Sequence, residues 1–199
     1  YLLNRGNRSS EVPENIKTIT VDIDDEAAVI EKLDGMYFDA VCEFIGFVTE
    51  QLERDYRLFK DKTKQYIYIS SASAYHKPVK DYRITEATAL ANPYWEYSRN
   101  KIACEEYLMK MYRENGFPVT VLRPTQTYSE DRLPLSVKGK TYWGVISRIL
   151  RDKEVIVHGD GESVWAGTHA DDFAEACYPV IGNGQTAGEI YYVVNPEIY

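Results

Sequence analysis

Short apolar runs of strand length alternate with stretches of helical period along most of the chain. Runs at 1–3, 16–20, 40–44, 66–70 and 119–123 are rich in β-branched and aromatic residues and bounded by turn formers, so each predicts a strand. Between them, 25–33 begins with acidic residues and closes before Asp-Gly, which predicts a helix. A second is predicted over 49–59, with Thr49 as its N-cap. The longest helical stretch is 93–115: Asn92 serves as cap, Pro93 suits the first turn and Asn-Gly ends it. Its buried stripe is expected to include Ile102, Leu108 and Met109. Strands alternating with helices predict an α/β fold, a parallel sheet covered by helices.

After "LRPT" the texture changes. Residues 129–141 read as a loop, 143–151 as a helix, "VIVHGDGES" as a short strand with a glycine turn, and "HADDFAEACYPVIG" as a helix capped by Asp171 or Asp172. The expected division is a sheet domain over 1–130 and a smaller lobe over 131–199 that partly returns to the main sheet. "YLLNRG" reads as the end of an apolar strand, and "YYVVNPEIY" stops soon after another, so both ends are expected to be cut.

Composition narrows the partners. A net charge of -8 argues against a nucleic-acid surface, which shows a basic excess or stripe. No apolar run approaches the roughly 18 residues of a membrane span, and no basic-then-apolar leader opens the chain, so a cytoplasmic protein without membrane contact is expected. Three widely spaced cysteines, Cys42, Cys104 and Cys177, suit buried thiols in a reducing compartment. His76, His158 and His169 are scattered without ligand spacing, so no metal is expected.

The candidate chemistry lies in "YWEYSRNK", where Tyr97 and Lys101 stand one turn apart on the longest helix. With 17 tyrosines in the chain, chance supplies about one such pair, and Tyr56 and Lys60 in "YRLFK" form another. Surroundings decide between them. A phenol with an ordinary pKa near 10 is a poor base at neutral pH unless a cation stabilises the phenolate, and Lys101 is placed to do that. The strand "YIYIS" delivers "SSASAY" to the carboxyl end of the sheet, where open parallel sheets place ligands. A serine there is a partner for the tyrosine, with Ser70, Ser71 and Ser73 all near enough to compete.

These features resemble the extended short-chain dehydrogenase/reductases, the NAD(P)-dependent epimerase and dehydratase group. "SSASAY", "YSRNK", "VTVLRPTQTY" and "GDGES" with "THADDFAEA" match that family in order. The resemblance implies a Rossmann-like doubly wound sheet, a Ser71, Tyr97 and Lys101 site, and an NAD(P) cofactor. Tyr97 would be the acid/base, Ser71 would hold the reacting oxygen, and Lys101 would bind the ribose. Pro124 would line the nicotinamide side, and Asp22 and Ile23 would lie near the adenine. Asn4 stands where the family often has an acid, and Arg5 and Arg8 follow, which favours NADP over NAD. A small, sugar-like substrate and a possible homodimer built on the Tyr97 helix are also implied.

Three departures stand out. No GxxGxxG turn occurs, so the glycine-rich first segment is expected to be missing before Tyr1. Trp165 occupies the place of a diphosphate-binding arginine, and Glu43 stands in a usually His-Leu-Ala-Ala stretch. These leave a second reading open, a non-catalytic nucleotide- or RNA-binding relative of the same fold.

Overall fold

The computed structural model describes residues 1–7, 12–135, 137, 142–157, 159–162 and 165–195. In chain order the elements are β1 (Leu2–Asn4), β2 (Thr18–Thr20), α1 (Glu26–Lys32), β3 (Val41–Glu43), α2 (Thr49–Phe59), β4 (Tyr66–Ile69), α3 (Glu96–Asn115), β5 (Val119–Pro124), β6 (Gln126–Tyr128), α4 (Tyr142–Ile149), β7 (Gly167–His169), α5 (Ala170–Cys177) and β8 (Ile190–Val193). Strands β3, β4, β5 and β8 form a four-stranded parallel sheet in that order. β1 pairs with β2 and β6 with β7, both in parallel. Among the described residues no strand joins β1 to β3, so each keeps one edge without a ladder partner.

Period-two alternation in the central strands builds a core on each face. Tyr66 and Tyr68 of β4 and Val119 and Val121 of β5 pack with Leu52, Leu58, Cys104 and Leu108 from α2 and α3. Ile67 and Leu122 point the other way and meet Cys177, Val180 and Val193, with Phe173 of α5 against them. Helices on both faces of a parallel sheet make this a doubly wound α/β fold. Gln65 ties the segment after α5 to the sheet on this second face: its Nε2 donates to Thr120, Thr186 and the Val180 carbonyl, and its Oε1 accepts from Gly182 N.

Several helix starts differ from the sequence reading. Asp25 caps α1, accepting from Ala28 N at 3.1 Å. α3 begins at Glu96 rather than Pro93, because Asn92 is buried and committed elsewhere. Its Nδ2 donates to Ser73 O and Ser98 Oγ, and its Oδ1 accepts from Tyr94 N. Thr49 is the first residue of α2 and not its cap; Gln51 Oε1 accepts the Phe47 and Val48 N–H groups instead. His169 caps α5, with Asp171 and Asp172 inside the first turn, where the helix dipole favours acids. Residues 155–157 form no strand. Cys42 is exposed on β3 while Cys104 and Cys177 are buried, and all three are free thiols.

Candidate active site

The buried side of α3 is Ser98, Lys101, Cys104, Glu105 and Leu108, not the apolar stripe expected. Leu108 is buried as foreseen, but Ile102 and Met109 are only half-buried, and polar residues fill the rest of the face. A helix whose core face carries a lysine and a glutamate needs partners for both, since burying an unpaired charge is costly.

Lys101 is 1% exposed. Its Nζ donates to the Gly46 and Ile69 carbonyls, both at 2.8 Å. Three rings surround it, with centroids at 4.6 Å for Tyr68, 5.0 Å for Phe47 and 5.7 Å for Tyr97. Burial pushes its pKa down to about 8 against the pull of Cys104, Glu43 and Glu105. Gly46 leaves little room in this arrangement: a Cβ there would lie 2.7 Å from Leu52 Cδ2 and 3.2 Å from Glu43 Cγ, so Leu52 would have to shift. The same Gly46 carbonyl also accepts from Tyr68 OH at 3.0 Å.

Tyr97 is half-buried between Trp95, at 4.7 Å between centroids, and Phe47, at 6.2 Å. Burial raises its phenol pKa; hydrogen bonding with the Ser71 side chain and the charge of Arg132 work in the opposite direction. This corrects the sequence reading in one respect. Lys101 sits against the tyrosine ring, and the groups that favour the phenolate are Ser71 and Arg132.

Ser71 itself opens a 3-10 turn over Ala72–Ala74, accepting from Ser73 N at 3.2 Å and donating to Ser73 Oγ at 2.9 Å. Of the three competing serines, Ser70 is buried and donates to Glu105, Ser73 partners Ser71, and Ser71 is the one whose side chain acts against burial to lower the Tyr97 pKa. The serine follows β4 at the carboxyl edge of the sheet, the edge that also carries Glu43 and Pro124.

The remaining candidates fall in a second group. Asn4 Oδ1 accepts from Gly6 N at 2.8 Å, stabilising a turn in which Gly6 has φ 71°. Arg5 lies 3.8 Å from Asp22, both exposed, and half-buried Ile23 follows; these end β1 and β2 together. Arg8 lies outside the described residues. Pro124 ends β5 in register with Val193 of β8. Asn4, Arg5, Asp22 and Ile23 therefore gather at one place, and Ser71, Tyr97 and Lys101 at another.

Sequence reasoning missed Arg132, Gly46, Phe47 and Glu105. Glu105 was within reach, since it follows Lys101 by one further turn on the same face. Arg132 carries no local signal: it is exposed, and a short antiparallel bridge to Ser129 fixes its backbone. Glu43 has a distinct environment. It is 8% exposed, its Oε1 accepts from Ile45 N at 2.5 Å, and burial together with the neighbouring Asp55 raises its pKa to about 7.

A parallel, doubly wound sheet with this edge chemistry defines the Rossmann-like class of α/β proteins. A family model, the NAD dependent epimerase/dehydratase family, matches residues 2–194. The chain belongs to that family. It is 26% identical over 133 residues to dTDP-D-glucose 4,6-dehydratase of Homo sapiens, covering 66% of this chain and 36% of that protein. It is 28% identical over 134 residues to a trifunctional UDP-glucose 4,6-dehydratase/UDP-4-keto-6-deoxy-D-glucose 3,5-epimerase/UDP-4-keto-L-rhamnose-reductase of Arabidopsis thaliana, covering 65% of this chain and 19% of that one. The chain thus spans little more than a third of the human relative's length.

Solved structures with the same fold include dTDP-glucose 4,6-dehydratase from Bacillus anthracis in complex with NAD, at TM-score 0.72 and 22% identity, covering 94% of this chain and 61% of that one. An epimerase from Methanothermobacter thermautotrophicus superposes at TM-score 0.77 with 15% identity, covering 99% and 64%. At these identities the likeness is one of fold.

Proposed function

We propose that the chain carries the acid/base centre of an NAD(P)-dependent epimerase, dehydratase or reductase acting on a hydroxyl or carbonyl of a sugar-like substrate. What supports this reading is that the Ser71 side chain acts against burial to lower the Tyr97 pKa and that Lys101 Nζ lies 5.7 Å from the Tyr97 ring centroid, with Ser71 following β4 at the carboxyl edge of the sheet. In this reading Tyr97 moves the proton at the reacting oxygen, and Ser71 turns its O–H from Ser73 Oγ to that same oxygen and fixes its position. Lys101 has two of its three N–H bonds committed to carbonyls, and the third serves a ribose hydroxyl. Arg132 adds positive charge that favours the phenolate when Tyr97 gives up its proton.

The residues present fit part of a dinucleotide. Lys101 suits the nicotinamide ribose, and the Asn4, Arg5, Asp22 and Ile23 group suits the adenosine end. No glycine-rich pyrophosphate cradle occurs in the sequence. When bound, the nicotinamide supplies the hydride chemistry. A preference for NADP rests on Arg5 exchanging its loose contact with Asp22 for a 2'-phosphate. The named relatives act on dTDP- and UDP-glucose, which makes a nucleoside-diphosphate sugar the first substrate class to try, with residues 131–199 as the lobe that receives it.

Replacing Tyr97 by Phe removes the acid/base and leaves the ribose contacts. Expected is a fall in turnover of about 10²–10⁴-fold, with cofactor affinity nearly unchanged by equilibrium titration. Full turnover in Tyr97→Phe would defeat the assignment.

A further inference from the structure

We propose that the buried Glu105–Arg123 pair is the positioning device of this site, fixing α3 against β4 and β5 so that Tyr97 meets Ser71. The proposal rests on the acid/base reading above and extends it to residues that touch no substrate. Both side chains are 3% exposed. Arg123 Nε donates to the two Glu105 oxygens at 3.0 and 3.1 Å, and Nη2 donates to Oε2 at 2.6 Å. Its remaining arm, Nη1, donates to Tyr75 OH at 3.2 Å, with the guanidinium 5.0 Å from the Tyr75 ring centroid. Ser70 Oγ donates to Glu105 Oε1.

These partners bracket the serine. Ser70 immediately precedes Ser71, and Tyr75 closes the 3-10 turn that Ser71 opens, its N–H donating to Ala72 O at 3.2 Å. Glu105 lies on α3 one turn beyond Lys101 and two beyond Tyr97, all on connected faces. The pair therefore holds both ends of the Ser71 segment, Ser70 through Glu105 and Tyr75 through Arg123, and Glu105 belongs to the helix that bears the phenol.

Stability alone does not call for such a pair. A buried ion pair often contributes no more than a well-packed apolar replacement of the same volume, because desolvation offsets the attraction. What apolar packing lacks is direction. The planar guanidinium fork accepts its carboxylate in one orientation, so the pair fixes the height and rotation of α3. An error of about 1 Å in such a placement can cost on the order of 10²-fold in rate.

The test uses Glu105→Asp, which keeps the charge and shortens the reach by one methylene, and Glu105→Gln/Arg123→Met, which removes both charges and leaves none unpaired. Each is made with 3-fluorotyrosine incorporated, and the Tyr97 fluorine resonance is assigned by its loss in Tyr97→Phe. In both variants the thermal melt should remain cooperative, while the Tyr97 phenol loses its Ser71 contact. Its acid dissociation constant should fall by about threefold or more, a rise of roughly half a pH unit in the midpoint. With substrate, kcat should fall by about 10- to 100-fold while KM changes less than about twofold.

An unchanged Tyr97 midpoint in either folded variant overturns the proposal. So does failure of both to fold, because the pair would then be a stabilising element and nothing more. Retained turnover in Tyr97→Phe would defeat the catalytic reading while leaving the fluorine readout intact, so the two failures are distinguishable.

Discussion

Lys101 is a charged side chain with almost no solvent, held by two carbonyls and three rings. Its folded pKa of about 8 lies below the ordinary 10.5. Between those values the unfolded chain binds the proton more tightly. This residue's contribution to stability is therefore complete above 10.5, declines as pH falls, and is lost below about 8. Glu43 has the opposite sign. Its pKa is raised from 4.5 to about 7, so its contribution is present below 4.5 and lost as pH rises through about 7. Urea midpoints across pH check both. Glu43→Gln should flatten the descending limb between pH 4.5 and 7, and Lys101→Met should remove part of any rise above pH 8. Each slope approaches at most ~1.4 kcal/mol per pH unit while one group titrates.

The placement of Ser71 just after β4 and of Tyr97 and Lys101 one turn apart on α3 was legible in the sequence, because strand end, tyrosine and lysine stand in a recognisable order. Their electrostatics were not. Reading Lys101 as the cation that acidifies Tyr97 follows from one-turn spacing, yet that spacing does not say whether the ammonium reaches the hydroxyl or the ring. Here it lies 5.7 Å from the ring centroid, and the groups that act to lower the phenol's pKa are Ser71 and a loop arginine.

At the scale of elements, the strand and helix order was legible from periodicity, and most differences lie at helix starts. Asn92 and Thr49 both have the chemistry of caps, but Asn92 is used to tie the Tyr97 helix to the Ser73 turn. Tertiary contacts outcompeted local capping there. The polar stripe of α3 was hidden for a related reason: period alone puts Lys101 and Glu105 on a face, and only the carbonyls and Arg123 waiting opposite make that face a buried one.

The loop after β3 is the most tightly constrained connection at the site. Gly46 accepts from both Lys101 and Tyr68 while Leu52 and Glu43 close in on its Cα. Gly46→Ala should therefore destabilise the fold by about 1–3 kcal/mol through overpacking and weaken the hold on Lys101. Chemical denaturation measures the first effect, and a weaker cofactor titration reports the second. A neutral result on both would show that Leu52 gives way freely.

For the whole molecule, a four-stranded sheet and a separate two-stranded pair share one core but no ladder among the described residues. Sequence reasoning gave the parallel class. It did not anticipate where the open edges would stand, because the register of non-local strands leaves little mark on local sequence. The two groups of candidate residues, one at the ends of β1 and β2 and one at the ends of β4 and α3, lie on separate elements, and the proposed dinucleotide would have to bridge them.

The central claim is that the Tyr97 phenol, tuned by Ser71, is the group whose proton moves during turnover. Its most direct test is the pH dependence of single-turnover hydride transfer, followed by nicotinamide absorbance, in the unsubstituted protein, Ser71→Ala and Tyr97→Phe. The account predicts an ionisation limb that moves to higher pH in Ser71→Ala and disappears in Tyr97→Phe together with most of the rate. The same limb at the same pH in all three proteins would contradict it.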